Sequence, residues 1–438
     1  MASDVPAGPG GLDLAPFRGL RYAPGRVSDP AAVTSPPYDV VVRPDGLNEL
    51  RTADPYNIVR LILPQAADPA EGHRRAARTL RHWRAEGVLT QDARSALYVY
   101  EQRGPHAVHQ RGVIGALRLT EPGSGTVLPH EDVMPDVVAD RAALTRATGT
   151  NLEPLLLSYR AAEPDDADAV IEETVRTTPL LATRTADGIE HRLWAVTGPD
   201  TLARLRTALR RHRALISDGH HRWATALRLR DEHAGRPPWD RTLVLLVNTA
   251  RHPLRVQAIH RVLPQLPAAQ ALERVRATAA FRVRPLTAPP GEALRTLAAT
   301  EGTAFLLAGP AAGELHLLDR PDPALLARTI PAHRPAAWRA LDATVLHTTL
   351  LEAVWGVPDR PGAVRYLHEA DAALAQGLDT GGTAVLLRPV SEETVRSLAE
   401  AGIMMPRKST SFGPKPASGL VLRPLEEEPE QGPIAPEN

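Results

Sequence analysis

The chain has 438 residues, with Lys plus Arg equal to Asp plus Glu at 51 each, so it carries no net charge and has a pI near 7.3. A length of this order accommodates about three ordinary domains, and neutrality withholds the basic footprint of a nucleic-acid binder. Cysteine is absent, which excludes disulfides, thiolate nucleophiles and thiolate metal sites, and no run approaches the ~18 apolar residues of a membrane helix.

Residues 1–12 are Gly- and Pro-rich and read as disordered, without the basic and apolar segments of a signal peptide. Ser35-Pro36-Pro37-Tyr38-Asp39-Val40 and Pro55-Tyr56-Asn57-Ile58-Val59-Arg60 are proline-shaped turns. Rigid turns lower the entropy of presenting Asp39 or Asn57 to a ligand, although ordinary inter-strand turns have the same composition. Ala76, Ala77, Leu80 and Trp83 recur at helical spacing and stop at Gly87. Residues 96–100 and 113–119 read as strands. Next comes Pro129-His130-Glu131, in which a His-Glu pair in a proline-bounded loop can supply a general base. A solvated loop carboxylate is the alternative. Asp140-Arg141 lies in a helical stretch, 137–147, where a surface ion pair is the simplest reading.

Residues 155–158 read as extended and 199–211 as an amphipathic helix with Leu202, Leu205 and Leu209 in one stripe. A short apolar strand at 214–216 then runs into Asp218-Gly219-His220-His221-Arg222, ahead of a helix at 223–233. A helix N-terminus offers unpaired N–H groups, glycine admits a ligand to the backbone, and arginine can clamp two phosphate oxygens. The turn is therefore a candidate polyphosphate site, with Asp218 placed to ligate magnesium or orient a hydroxyl. Alternatively, Asp218 is a helix N-cap. Strands follow at 243–247 and 256–263, and the proline-rich stretch 263–267 suggests a domain boundary. Beyond it come strands near Phe281, Ala304 and Leu315, a long helix at 337–355, a strand at 384–387 and a helix at 392–402. Lysine stands only at Lys408 and Lys415. An ammonium differs from a guanidinium as a phosphate ligand, so the pair marks a second candidate anion site, or a compositional accident.

These motifs, with Pro16-Phe17-Arg18-Gly19-Leu20-Arg21-Tyr22 and Ile259-His260-Arg261, resemble a large bacterial and archaeal family of uncharacterised conserved proteins, over residues 15–424. The Asp-Gly-His-His-Arg turn of that family is similar to the phosphate-binding turn of the ParB and sulfiredoxin-like superfamily, which includes free-serine kinases, partition proteins and sulfiredoxins. The resemblance implies an α/β fold with a ParB/sulfiredoxin-like nucleotide-binding region at 13–262, a C-terminal α/β region at 268–424 and a disordered acidic tail at 425–438. It further implies a cytoplasmic phosphotransferase that uses ATP or ADP with Mg2+ and acts on the hydroxyl of a free serine-like small molecule. Gly219, His220, His221 and Arg222, helped by Lys408 and Lys415, would hold phosphate. Asp218 would act at the hydroxyl and on the metal, with Glu131 and His130 beside it, and Asp39, Asn57 and Arg141 would contact substrate. The alternatives are a nucleotide-binding regulatory or partition-like protein and a catalytically degenerate scaffold. Asp132 and Val133 stand where Arg-Thr usually follows His-Glu, and Val138 where a lysine is usual; two basic residues are thus missing.

Overall fold

The structure is a computed structural model that describes residues 10–40, 44–309, 311, 313–358, 360 and 362–426. Of the two ends read as disordered, 1–9 and 427–438 lie outside the described residues. Leu12 and Leu425, at their inner margins, are buried. The chain divides into two compact units. Unit one comprises Met1–Leu128, Val133–Leu254 and Pro414–Asn438, and unit two comprises Pro129–Asp132 and Arg255–Gly413.

In unit one, the larger sheet has nine strands among the described residues: β1 Leu14–Ala15, β2 Leu97–Arg103, β3 Val108–Arg118, β4 Val127–Leu128, β5 Leu155–Tyr159, β6 Leu181–Arg184, β7 Glu190–Val196, β8 Ala214–Asp218 and β9 Arg241–Asn248. Their order is β4-β8-β5-β9-β3-β2-β7-β6, with β1 against β3. The sheet is mixed. β8 runs parallel to β4 and antiparallel to β5, whereas β9 is parallel to β5 and antiparallel to β3.

The helices that matter here are α1 Pro69–Ala85, α2 Pro135–Thr148, α3 Asp166–Thr174, α4 Pro199–Leu209 and α5 His220–Glu232. Every residue of β8 is buried, so Ala-Leu-Ile-Ser-Asp shows no polar alternation, as expected of a strand covered on both faces. Leu157, Ile216, Val244 and Leu246 form one core with Leu205 and Leu209 of α4 and Trp223 of α5. Burying each such side chain contributes about 1.5–3 kcal/mol, and this is what seats α5 on the sheet. Asp68 caps α1 by accepting from the N–H groups of Ala70 and Glu71, both at 3.2 Å. The Ala76, Leu80 and Trp83 stripe of α1 then closes a second core with Ile58, Leu61, Leu144 and Leu422.

Unit two is built on an antiparallel sheet of β10 His260–Leu263, β11 Arg282–Leu286, β12 Phe305–Ala308, β13 Leu315–Asp319, β14 Arg365–Leu367 and β15 Thr383–Leu386, in the order β11-β13-β12-β15-β10-β14. Two sequence expectations are corrected here. The single strand at 256–263 is two strands, because Arg255–Gln257 pairs with Ser411–Gly413 while β10 pairs with β14 and β15. The single helix at 337–355 is interrupted. Short helices Ala336–Arg339 and Asp342–Val345 flank an extended Leu341, and Leu346–Trp355 continues as a π-helix. Arg388 bonds the Asp342 carboxylate at 2.8 Å, a long-range partner that apolar spacing does not reveal. Both units mix helices with sheet, so the fold is mixed α/β. No helix among the described residues is long and apolar enough to cross a membrane.

Candidate functional site

Unit one brings the charged side chains of Asp39, Asp218, Arg222 and Lys415 together where β8 hands over to α5. A register shift between Ile216 and Asp218 interrupts the β8 pairing with β5, and such bulges re-aim side chains. Gly219 follows with φ 99°, a left-handed conformation that favours glycine, and α5 starts at His220. A Cβ at 219 would stand 3.1 Å from Nε of Arg222 and 3.2 Å from Leu155. No side chain caps α5. The N-cap reading of Asp218 is thereby replaced: its carboxylate is taken by Arg222 at 2.5 Å and by the Lys415 ammonium at 2.5 Å.

Lys415 also bonds the Asp39 carboxylate at 2.6 Å, so one ammonium bridges two acids. Burial opposes that positive charge, but Asp218 and Asp39 outweigh it and hold the Lys415 pKa above the lysine range. Burial and the neighbouring Asp39 raise the Asp218 carboxyl, which Lys415 and Arg222 only partly offset. A second guanidinium N–H of Arg222 donates to the Pro154 carbonyl at 2.7 Å, while its Nε is buried without a hydrogen-bond partner among the described residues. This unpaired N–H lies beside Gly219, where a side chain would press on it.

Tyr38 forms the adjoining wall, with the Arg141 and Arg222 guanidinium carbons 4.7 and 5.9 Å from its ring centroid. Burial pushes its hydroxyl up to about 12. Its backbone N–H donates to Glu153 at 2.9 Å, and burial raises the Glu153 carboxyl. Arg141 is tied to Asp140 at 2.6 Å, and Asp140 to His73 at 2.9 Å. His221 accepts from the Met134 N–H at 3.0 Å, and His220 opens α5.

Asp39, Asp218, Gly219, His220, His221, Arg222 and Lys415 thus share one locality, with Arg141 reaching it through Tyr38. Asn57 is buried and spends its amide on the Ala32 and Thr34 carbonyls and the Val59 N–H. His130, Glu131 and Lys408 belong to unit two. There, Thr410 lies 2.9 Å from His130, and Glu131 accepts from the backbone N–H groups of Ser409 and Thr410 at 3.1 and 3.2 Å. Burial raises the Glu131 carboxyl and Lys408 pulls part of that shift back. Sequence reasoning missed Glu153. Its one signal was a carboxylate set between leucine and proline at the entrance to an apolar run, Leu152-Glu153-Pro154-Leu155.

A family model described as "Protein of unknown function (DUF1015)" matches residues 14–344. The chain belongs to the DUF1015 family. The match stops short of Lys408 and Lys415. Comparison with curated proteins returned no match. Among solved structures, this DUF1015 chain is similar to a free serine kinase in complex with AMP, at 13% identity and TM-score 0.33, covering 66% of this chain and 84% of that one. It is also similar to SbnI with C-terminal truncation from Staphylococcus aureus, at 11% identity and TM-score 0.35, covering 71% and 87%. A conserved hypothetical protein from Pyrococcus furiosus matches at 14% identity and TM-score 0.31, covering 66% and 87%.

Proposed function

We propose that the turn from Asp218 to Arg222, with Lys415, binds the phosphates of ATP or ADP in a ParB/sulfiredoxin-like core and transfers a phosphoryl group to the hydroxyl of a free serine-like amino acid. One observation carries the reading. At a helix N-terminus, a left-handed glycine lies next to a partly buried arginine and a partly buried lysine, both held by carboxylates that a phosphate can displace.

In the transfer, the acceptor oxygen forms a bond to the terminal phosphorus as the bond to the nucleotide's bridging oxygen breaks. The hydroxyl proton passes to Asp218, whose raised pKa makes it a stronger base than a solvated carboxylate. Arg222 and Lys415 neutralise charge on the moving group, so catalysis is largely positioning and electrostatics. Among the described residues no cluster of three or more His, Asp or Glu suits a metal ion. Asp39 and Asp218 converge on the Lys415 ammonium, so magnesium would be held mainly by the nucleotide phosphates, where it would supply further charge neutralisation. His130, Glu131 and Lys408 take no part in this reading.

The test incubates the protein with ATP or ADP, Mg2+ and serine, threonine or homoserine, and follows phosphorylated acceptor by mass spectrometry. Phosphorylated acceptor in the native protein, with product formation depressed in Asp218→Asn while calorimetric nucleotide affinity persists, is the expected result. Nucleotide binding without product points to the regulatory alternative. Absence of both defeats the proposal.

A further inference from the structure

Lys415 reaches its two carboxylates from a stretch of chain held by side chains of the unit-one sheet. Gln102 on β2 and Gln110 on β3 stand directly opposite one another in the antiparallel register. Each amide donates to a backbone carbonyl of the 414–418 segment, Gln110 to Pro414 and Gln102 to Lys415, both at 2.7 Å. Two residues before Gln102, and so on the same face of β2, the Tyr100 hydroxyl accepts from the Ala417 N–H at 3.2 Å. Ser35 and Ser418 exchange backbone hydrogen bonds of 3.2 and 2.8 Å, and the Ser418 hydroxyl donates to Glu153 at 3.2 Å.

Gln102 is 4% exposed and Gln110 0%. Buried amides are costly unless bonded; the amide oxygens of both have no hydrogen-bond partner among the described residues, while each NH2 group is committed to one of two consecutive carbonyls of the lysine-bearing segment. A lysine side chain has a flexible four-carbon stem, so the ammonium finds one position only if its backbone is anchored. Neither glutamine reaches Asp39, Asp218 or Arg222 through any hydrogen bond described above.

We propose that Gln102 and Gln110 are positioning residues that set the Lys415 ammonium between Asp39 and Asp218, ready to neutralise phosphate charge. The proposal rests on the phosphate-binding reading of the Asp218–Arg222 turn. It assigns a role to residues that touch neither nucleotide nor acceptor, acting through a lysine outside the residues matched by the family model.

The lysine content allows a direct test, because Lys415 and Lys408 are the chain's two lysines and Lys408 is exposed. Acylation with an amine-reactive ester, read by peptide mass spectrometry, reports each lysine separately. Native protein should show Lys408 modified and Lys415 protected. In Gln102→Met, Gln110→Met and the double variant, Lys415 should become about fivefold to tenfold more reactive, as expected for losing one hydrogen-bonded anchor, with Lys408 unchanged. Calorimetric ADP affinity should fall in the same order, toward that of Lys415→Met. Lys415 remaining as protected in the double variant as in the native protein overturns the proposal. If Gln110→Met fails to fold, Gln102→Met decides alone, with the thermal midpoint as its control. Should native protein bind no ADP, the phosphate reading falls, and the labelling contrast still decides whether the glutamines place Lys415.

Discussion

Arg222 concentrates several demands on one side chain. It is partly buried, held by Asp218 and the Pro154 carbonyl, and its Nε N–H is buried beside Gly219 without a hydrogen-bond partner among the described residues. Arg222→Ala should therefore weaken ADP binding about tenfold to a hundredfold, the range for losing hydrogen bonds to a charged group. Unchanged calorimetric affinity in a folded variant would falsify its phosphate role. Gly219→Ala tests the turn itself. A non-glycine residue in the left-handed region costs about 1–2 kcal/mol, and the new methyl would also press on Arg222 and Leu155. The expected outcome is a thermal midpoint lower by a few degrees together with weaker ADP binding. A variant as stable and as tight as native would show that the turn tolerates a side chain. Arg222 and Gly219 were legible in the sequence because strand, turn and helix are local. Glu153 and Tyr38 were not assigned to the site, since their role comes from packing beside a turn far along the chain.

At the scale of elements, β7 meets the lysine-bearing segment through Tyr100 on β2. The Tyr100 hydroxyl accepts from the Ala417 N–H and lies 2.9 Å from Nδ1 of His191 on β7, whose Nε2 is 3.3 Å from the Thr185 hydroxyl. Burial lowers the His191 pKa to about 4 against 6.5 for free histidine. Between those values the unfolded chain binds more protons than the folded one, so stability decreases as pH falls from about 6.5 toward 4. The shift corresponds to at most ~3 kcal/mol. His191→Asn, which cannot titrate, should flatten this part of the pH profile in urea unfolding. An identical profile in that variant would assign the acid sensitivity elsewhere, for example to His260, whose pKa burial also lowers to about 4. Among elements, α1, α4 and α5 were readable from apolar spacing. The interrupted helix before Trp355 was not: Leu341 is extended and Asp342 pairs with the distant Arg388, and apolar spacing records neither.

On the scale of the whole molecule, unit one is assembled from three separate stretches of chain, and the last of them supplies Lys415. That stretch also buries Leu420, Val421 and Leu422, pairs Leu422 with Leu20, and sends Arg423 to Asn151 and to the Arg241 and Pro238 carbonyls. Ending the chain after Gly413 should therefore remove the site and also destabilise unit one by several kcal/mol, since each buried leucine alone contributes about 1.5–3 kcal/mol. Loss of ADP binding and a lower or absent thermal transition are the expected readings; a truncated protein that melts as the native one does would show the stretch to be dispensable.

The sequence by itself determined the local pieces: neutral charge, the absence of thiols, the helical stripes, the buried strand of β8 and the glycine turn behind it. Each of these depends on neighbours within one or two turns of chain, where spacing and backbone preference act directly. Tertiary structure alone decided that Asp39, Asp218 and Lys415 meet, that Gln102 and Gln110 hold the lysine's backbone, and that Glu131 and Lys408 belong to the other unit. Those outcomes depend on which distant strands pair and which buried polar groups must find partners, and neither quantity is encoded in the spacing of residues along the chain.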